Sequence, residues 1–314
     1  MNWRQSFRQG IQVGLKTTWE LGKIIFPITL FVSILQHTPI LHWLIELISP
    51  LMSYIGLSGD AAIPLVLGNF LNLYAGIGAI LSLQLTVKEV FILAVMLSFS
   101  HNLLVESSVA KKVGVKIWVM VAVRLGLALI SAFFIHLLWE GGSELAQYGM
   151  VAPSDPTFSS WGEIALYGLQ SAAIGVFQLA LIVIPLMMGI QFMKDLKWLQ
   201  QFSKWVAPFT KILGMSRNTS TTLAAGLLFG LAYGAGVMIQ AVKEDGVSSK
   251  DVTLAFIFLV ACHAVIEDTL IFIPLGIPVW PLLLIRVVVA IIITCIVSLV
   301  WRRLAITNRK EASL

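Results

Sequence analysis

Apolar residues in this chain run on without interruption. The stretches Ile24–Leu35, Ile117–Trp139 and Trp280–Trp301 approach or reach the roughly 20 residues a helix needs to cross a bilayer. They lack the alternation of a transmembrane β-strand, so the pattern predicts helices and excludes a barrel. Two stretches read differently. Residues 1–16 scatter Arg4, Arg8 and Lys16 among apolar positions. Residues 198–214 set Trp198, Leu199, Phe202, Trp205, Val206, Phe209, Ile212 and Leu213 at helical spacing, with Gln200, Gln201, Ser203, Lys204 and Lys211 between them. Both predict amphipathic helices on the membrane surface. Residues 41–56 are more apolar and can cross. A third kind of segment is dense in glycine: 61–83 holds Gly68, Gly76 and Gly78, and 219–240 holds Gly226, Gly230, Gly234 and Gly236. Such density lowers helix propensity and permits tight turns. These segments are expected to be re-entrant hairpins or broken helices, packed in protein or lining a cavity. The alternative is that the glycines only let helices pack closely.

The pattern is written twice. Trp3, Gly10, Gln12, Pro27, Pro50, Gly56, Ser58, Gly68, Gly76 and Gly78 recur as Trp161, Gly168, Gln170, Pro185, Pro208, Gly214, Ser216, Gly226, Gly234 and Gly236, an offset of 158 throughout (Trp3 to Trp161). The offset then becomes 162 (Lys88 to Lys250). At that spacing Val90, His101, Arg124, Ala128 and Trp139 return as Val252, His263, Arg286, Ala290 and Trp301. Residues 1–139 and 161–314 are therefore read as two repeats joined by a linker over 140–160. In a membrane chain such a duplication suggests a substrate site between pseudo-symmetric halves.

Composition fixes the class. Hydrophobic residues make up 58% and charged residues 12% of the chain, with mean hydropathy +0.91. A soluble protein of this length could not cover its surface with so few charges. The fold class is an all-α polytopic membrane protein. The net charge of +5 then reports topology rather than nucleic-acid binding. Residues 1–16 also lack the uninterrupted apolar region of a cleavable signal peptide. Cys262 and Cys295 sit in apolar segments whose spacing suggests neither a disulfide nor zinc.

Basic residues orient the chain. Arg4, Arg8, Lys16 and Lys23 near one end, and Arg302, Arg303, Arg309 and Lys310 near the other, place both termini in the cytoplasm. No Lys or Arg lies between Arg124 and Lys194, while Glu140, Glu144, Asp155 and Glu163 do, so the linker reads as outside. Each repeat then crosses an odd number of times and the halves face opposite ways. Paired loops agree. Lys111, Lys112 and Lys116 match an uncharged Ile273–Val279, whereas Lys194 and Lys197 follow the first helix of a repeat whose partner loop, Gln36–Trp43, has no Lys or Arg. The sequence repeats directly and the charge repeats inverted, as in inverted-topology transporters. Three crossings per repeat plus a hairpin satisfy the charges, and so do five.

The chemistry-bearing residues also come in pairs. Ser100-His101-Asn102-Leu103-Leu104-Val105-Glu106 matches Cys262-His263-Ala264-Val265-Ile266-Glu267-Asp268. Each copy follows a helix start with a capping hydroxyl, Thr86 or Ser248. About fifteen residues further on, the histidines lie roughly 22 Å along a helix, past the bilayer midplane. Ionisable groups at that depth read as functional by default. His101, Glu106, His263 and Asp268 can bind a divalent cation or relay protons, or can simply cap a helix end. Arg124 and Arg286 stand in unbroken apolar surroundings and need carboxylate partners, for which Glu106 and Asp268 are the candidates. An ion pair holding two helices together competes with a substrate clamp there. Asn69, Asn72 and Gly76 in the first glycine-rich segment, with Ser216, Thr219 and Gly234 in the second, can ligate a polar solute, as can Asn102 and Glu267. Ser216 and Thr219 equally suit an ordinary loop and cap. The spacing is not that of a His-Glu-x-x-His metalloprotease, and no nucleophile–base pair stands out, so an enzyme is not expected. No ATP site and no cofactor motif is present.

The stretch Gly56-Leu57-Ser58-Gly59-Asp60-Ala61-Ala62-Ile63-Pro64-Leu65-Val66-Leu67-Gly68 resembles the Gate, or nucleoside recognition, domain family, and most of all its counterpart in the membrane part of the ferrous iron transporter B. The second copy, Gly214–Gly226, is looser. The resemblance implies two Gate units with a transport-like fold, and distant kinship with concentrative nucleoside transporters and spore maturation membrane proteins. Where the iron transporter carries a cysteine and Val-Pro, this chain has Asn69-Phe70-Leu71-Asn72, and it has no phosphate-binding loop. The expected function is a secondary transporter or permease of a prokaryotic plasma (inner) membrane. It would carry a small polar solute, of nucleoside type, or a divalent ion. The rival is a non-transporting assembly partner. Lipid is the expected surrounding, nucleic acid is not a partner, and a homodimer stays open.

Overall fold

The computed structural model describes residues 3–35, 39–112, 114–148, 160–231 and 247–311. Gly234, most of the second glycine-rich segment beyond residue 231, and the linker over 149–159 lie outside them. The described residues are helical throughout, apart from turns and one isolated bridge between Thr86 and Leu145. In chain order the helices are α1 (Trp3–Leu35), α2 (Pro39–Ser53), α3 (Ala62–Phe70), α4 (Leu73–Ile80), α5 (Val87–Ser100), α6 (Leu103–Lys112) and α7 (Ile117–Leu138). There follow α8 (Trp161–Asp195), α9 (Trp198–Ile212), α10 (220–231), α11 (Ser249–Ala261), α12 (Glu267–Leu270) and α13 (Val279–Glu311). Three stretches among the described residues are long and apolar enough to cross a bilayer: Val87–Ser107, Ile117–Leu138 and Val279–Arg303. The last two expose Trp118, Leu129, Phe133, Leu137, Trp280, Leu284, Ile292 and Leu299. An apolar surface of that extent suits lipid, not water.

Two compact units form, and they cut across the sequence repeats. The first comprises Met1–Leu104, Leu125–Leu196 and Glu267–Leu282; the second comprises Val105–Arg124, Lys197–Ile266 and Leu283–Leu314. Val105–Arg124 of repeat one and Glu267–Leu282 of repeat two start at matched positions, 162 residues apart. Each unit thus takes from the other repeat the segment that follows the histidine.

In the first unit, α1 and α8 run antiparallel. The first sixteen residues are no separate element but the start of continuous α1. Its glycines allow the contact: a Cβ at Gly10 would lie 2.8 Å from the Cα of Met188, and one at Gly14 would lie 2.9 Å from the Cα of Ile184. Backbone cannot swing aside as a side chain can. Gly10→Val with Gly14→Val should therefore force the helices apart and cost about 1–3 kcal/mol per site, read as a lower melting temperature in detergent. Unchanged melting would show that the two helices do not approach this closely.

The glycine-rich segment of the first unit is a tight helical hairpin. Nine-residue α3 and eight-residue α4 are each about 12–14 Å long, half a bilayer core. Leu71 and Asn72 make the turn, and Asn72 caps α4 by accepting from Ala75 N at 2.9 Å. Gly76 packs where a Cβ would meet Pro64 O at 3.0 Å and Gly68 Cα at 3.2 Å. Behind the hairpin, α5 is buried on every side from Val90 to Ser100, as expected of a helix apolar all round. Its start is held by a capping box between Thr86 and Glu89. The linker also ties back to it, with Val87 N and Lys88 N donating to Glu144 O and Gly142 O, each at 2.9 Å. Lys88 Nζ donates to His136 O at 3.1 Å, and to Trp139 O, closing the C-terminal carbonyls of α7.

In the second unit, α9 buries Ser203, Val206 and Thr210 and exposes Trp198, Trp205, Phe209 and Ile212. Lys204 and Lys211 are exposed with them. Ser203 Oγ reaches Ser220 Oγ and Thr221 Oγ1, both at 3.1 Å, which pins α9 to the start of α10.

Candidate functional site

Both histidines stand where a helix breaks. In the first unit α5 ends at His101 and Asn102 takes φ 54°. In the second, α11 ends at Cys262 and Ala264 takes φ 40°. At each break the amide of that same residue meets the glycine-rich segment. Asn102 N donates to Gly68 O, and Ala264 N donates to Gly226 O, each at 3.0 Å. Asparagine tolerates this conformation; for alanine it is strained, and such strain clusters at functional sites.

The rings adopt one geometry in the two units. His101 Nδ1 lies 2.7 Å from Leu97 O, and His263 Nδ1 lies 2.8 Å from Leu259 O. A carbonyl can only accept, so Nδ1 carries the proton and Nε2 is the nitrogen left to gain one. Capping and chemistry, alternatives in the sequence, thus fall on opposite sides of one ring.

The carboxylates arrive from the opposite repeat. In the second unit Glu106 Oε1 lies 3.3 Å from His263 Nε2, and Glu106 Oε2 lies 2.8 Å from Arg124 Nη1. Glu106, His263 and Arg124 are all buried, Arg124 to 1% exposure. Arg286 Nη2 donates to His263 O at 2.7 Å, which holds the strained turn. The sequence suggested a histidine and carboxylate of one repeat; here Glu106 of repeat one faces His263 of repeat two. In the first unit a ring nitrogen of His101 and a carboxylate oxygen of Asp268 lie within 4.8 Å of one another, again one residue from each repeat. A carboxylate facing the Nε2 of an Nδ1-protonated imidazole needs a proton between them. Imidazole with carboxylate is also a donor set for a divalent cation.

The remaining candidates fall beside these pairs or elsewhere. Tyr74, which sequence reasoning passed over, donates its hydroxyl to Glu267 Oε1 at 2.8 Å in the first unit. Nothing in the sequence signals this contact, since the two residues are 193 positions apart. Asn69 Oδ1 is buried and accepts no hydrogen bond from the described residues. Asn72 and Gly76 serve the hairpin turn and its packing. In the second unit Ser216 and Thr219 bond each other, Oγ to Oγ1 at 3.2 Å, across the short turn before α10. Ser216 stands at the N-cap position of that turn, but its side chain caps no backbone N–H.

A family model described as nucleoside recognition, named Gate, matches residues 18–133 and 176–277. The chain is 61% identical over 300 residues to the uncharacterized membrane protein YvoD of Bacillus subtilis (strain 168), with 96% of each chain covered. No solved structure matches. The matched residues include both glycine-rich segments and both histidine breaks, and the chain belongs to the Gate, or nucleoside recognition, family of membrane proteins.

Proposed function

We propose that this chain is a secondary transporter or permease of the bacterial plasma membrane. It carries a small polar solute, nucleoside or divalent ion, and is not an enzyme. One observation carries the reading: two buried histidine–carboxylate pairs, each built from both repeats at a broken helix. Broken helices at membrane depth are tolerated where they line a cavity or pack in protein, and paired halves around such breaks are the architecture of alternating access.

The proposed topology has three crossings per repeat, formed by the first helix and the last two, with opposite orientations and both termini in the cytoplasm. Helices α3 and α4 are too short to cross singly. The end of α2 reaches that of α7, because Gly56 packs on His136. With α1 ending and α7 ending on the outer side, α2 begins and ends there and lies in the interface. The linker bonds to α5 at Val87 and Lys88 on that side too.

Uptake into proteoliposomes tests the function. His101→Asn and His263→Asn should each lower uptake about tenfold or more, the size of an ordinary coupling energy, without loss of the folded protein. A second reading, a non-transporting assembly partner, draws on the Arg124–Glu106 ion pair and the Arg286 bond to His263 O, which hold the second unit's polar residues to one another. Variants that lose assembly while solute flux stays absent throughout would favour it.

A further inference from the structure

The exposed side of α9 sets two kinds of residue in register. Lys197, at the N-cap position, is followed by Lys204 and Lys211 at seven-residue spacing. That spacing keeps them on one line of the helix, drifting only about 20° per step. All three are exposed. Each also precedes an exposed apolar residue: Trp198, Trp205 and Ile212 in turn. The lysine line therefore runs beside the apolar line, roughly 100° round the helix from it. Trp198 and Trp205 meet edge to face with centroids 6.4 Å apart, which makes the apolar line one surface. No Asp or Glu occurs between Asp195 and Glu244. Asp195, at the end of α8, accepts from Gln191 Nε2 at 3.1 Å.

The matched helix of repeat one separates the two features. Leu47, Leu51 and Tyr54, in α2 and just past its end, stand at the positions of Trp205, Phe209 and Ile212 and are exposed like them. Met52 is buried like its match Thr210. At the lysine positions, however, stand Pro39, Glu46 and Ser53. The exposed apolar face is thus kept in both copies, and the cationic line belongs to α9. An apolar face is enough for a helix to lie in any bilayer interface. A line of cations beside it asks for negative charge as well.

We propose that α9 binds anionic phospholipid headgroups, such as phosphatidylglycerol, in the leaflet where it lies. With the apolar line seated at the acyl boundary, the flanking lysines run their stems along that surface and bring their ammonium groups to the headgroup phosphates. A second copy of the chain packed face to face on α9 would gather lysines from both, and α9 has no carboxylate to match them. The inference goes beyond transport and rests on the topology proposed above only for the choice of leaflet. In that topology the leaflet is the cytoplasmic one, whose surface potential is negative.

The test titrates the purified full-length protein, in an uncharged detergent, with phosphatidylglycerol or with phosphatidylcholine of the same acyl chains. Binding is read as the lipid-induced rise in melting temperature. Phosphatidylglycerol should bind about a hundredfold more tightly, and salt at about 0.5 M should remove most of that preference. Lys197→Gln, Lys204→Gln and Lys211→Gln should each weaken its binding about fivefold, and the triple variant about a hundredfold, with phosphatidylcholine binding unchanged. Arginine at all three positions should retain the preference. Trp205→Ala with Phe209→Ala should weaken both lipids alike. Arg4→Gln with Arg8→Gln removes exposed charge from α1 and should leave the preference in place. Equal binding of the two lipids, a preference that survives the triple variant, or one that falls as far with the α1 charges overturns the inference. So does a concentration-dependent dimer that Trp205→Ala with Phe209→Ala abolishes, since the face would then belong to a second copy. Labelling of Lys204→Cys by an impermeant thiol reagent from the outside of cells would sink the topology and leave headgroup binding standing. Labelling from the inside with no lipid preference would do the reverse.

Discussion

Glu106→Ala is expected to destabilise the protein by about 3–5 kcal/mol, the usual cost of removing one partner from a buried ion pair. Arg124, 1% exposed, keeps its charge when the carboxylate 2.8 Å away is deleted. It sits on the buried stripe of α7 with Met120, Ala128 and Ala132, so water cannot take the place of Glu106. Arg124→Ala leaves a buried carboxylate beside His263 and should cost less, because that carboxylate can take a proton. Replacing both by leucine should recover much of the loss, since an apolar pair of similar volume removes the desolvation penalty along with the attraction. Unfolding of the two alanine variants and their double in the same detergent measures the coupling between them. A coupling of about 1 kcal/mol or more is expected for residues in contact; strictly additive losses would show that the pair contributes no interaction of its own.

The sequence carried the helical class and the ionisable positions because both are composition and spacing along one chain. It also carried the hairpin character of residues 61–83, since glycine density is a local signal and Gly76 does pack on Gly68. It could not show that Glu106 serves His263. A carboxylate five residues from one histidine and about 160 from the other gives no local sign of which it will meet. The helix breaks after His101 and Cys262 were equally silent. No glycine or proline marks them; Asn102 is a weak left-handed signal and Ala264 is none. Both breaks exist because Gly68 O and Gly226 O, non-local acceptors, receive the amides of Asn102 and Ala264. Tyr74 was passed over for the same reason: its partner lies in the other repeat. The exchange of segments between the compact units accounts for the Glu106 and Tyr74 omissions, because it moves those contacts from within a repeat to between repeats; the two breaks rest instead on acceptors of the same repeat, distant in sequence.

Gly214→Ala should lower stability by about 2–5 kcal/mol, combining left-handed backbone strain of about 1–2 with local overpacking of about 1–3. Gly214 has φ 79°, and a Cβ there would fall 1.9 Å from Ser298 Oγ and 2.9 Å from Ser298 Cβ. Ser298 is buried at 4% exposure, so its side chain has nowhere to turn. The carbonyl of Gly214 also accepts from Lys250 Nζ at 3.2 Å, so a shifted turn would loosen the start of α11. Adding Ser298→Gly should restore the packing part and leave the backbone part, a partial recovery readable by thermal melting in detergent. The matched Gly56→Ala should cost less. Its φ is 74°, but the closest overlaps are with the ring of His136, Nδ1 at 2.2 Å and Cγ at 2.6 Å, with its Cβ at 2.9 Å. That ring is exposed and can rotate off the site. Equal losses at the two glycines would mean that backbone strain alone sets the cost. Wild-type melting of Gly214→Ala would mean that the turn is not left-handed at all.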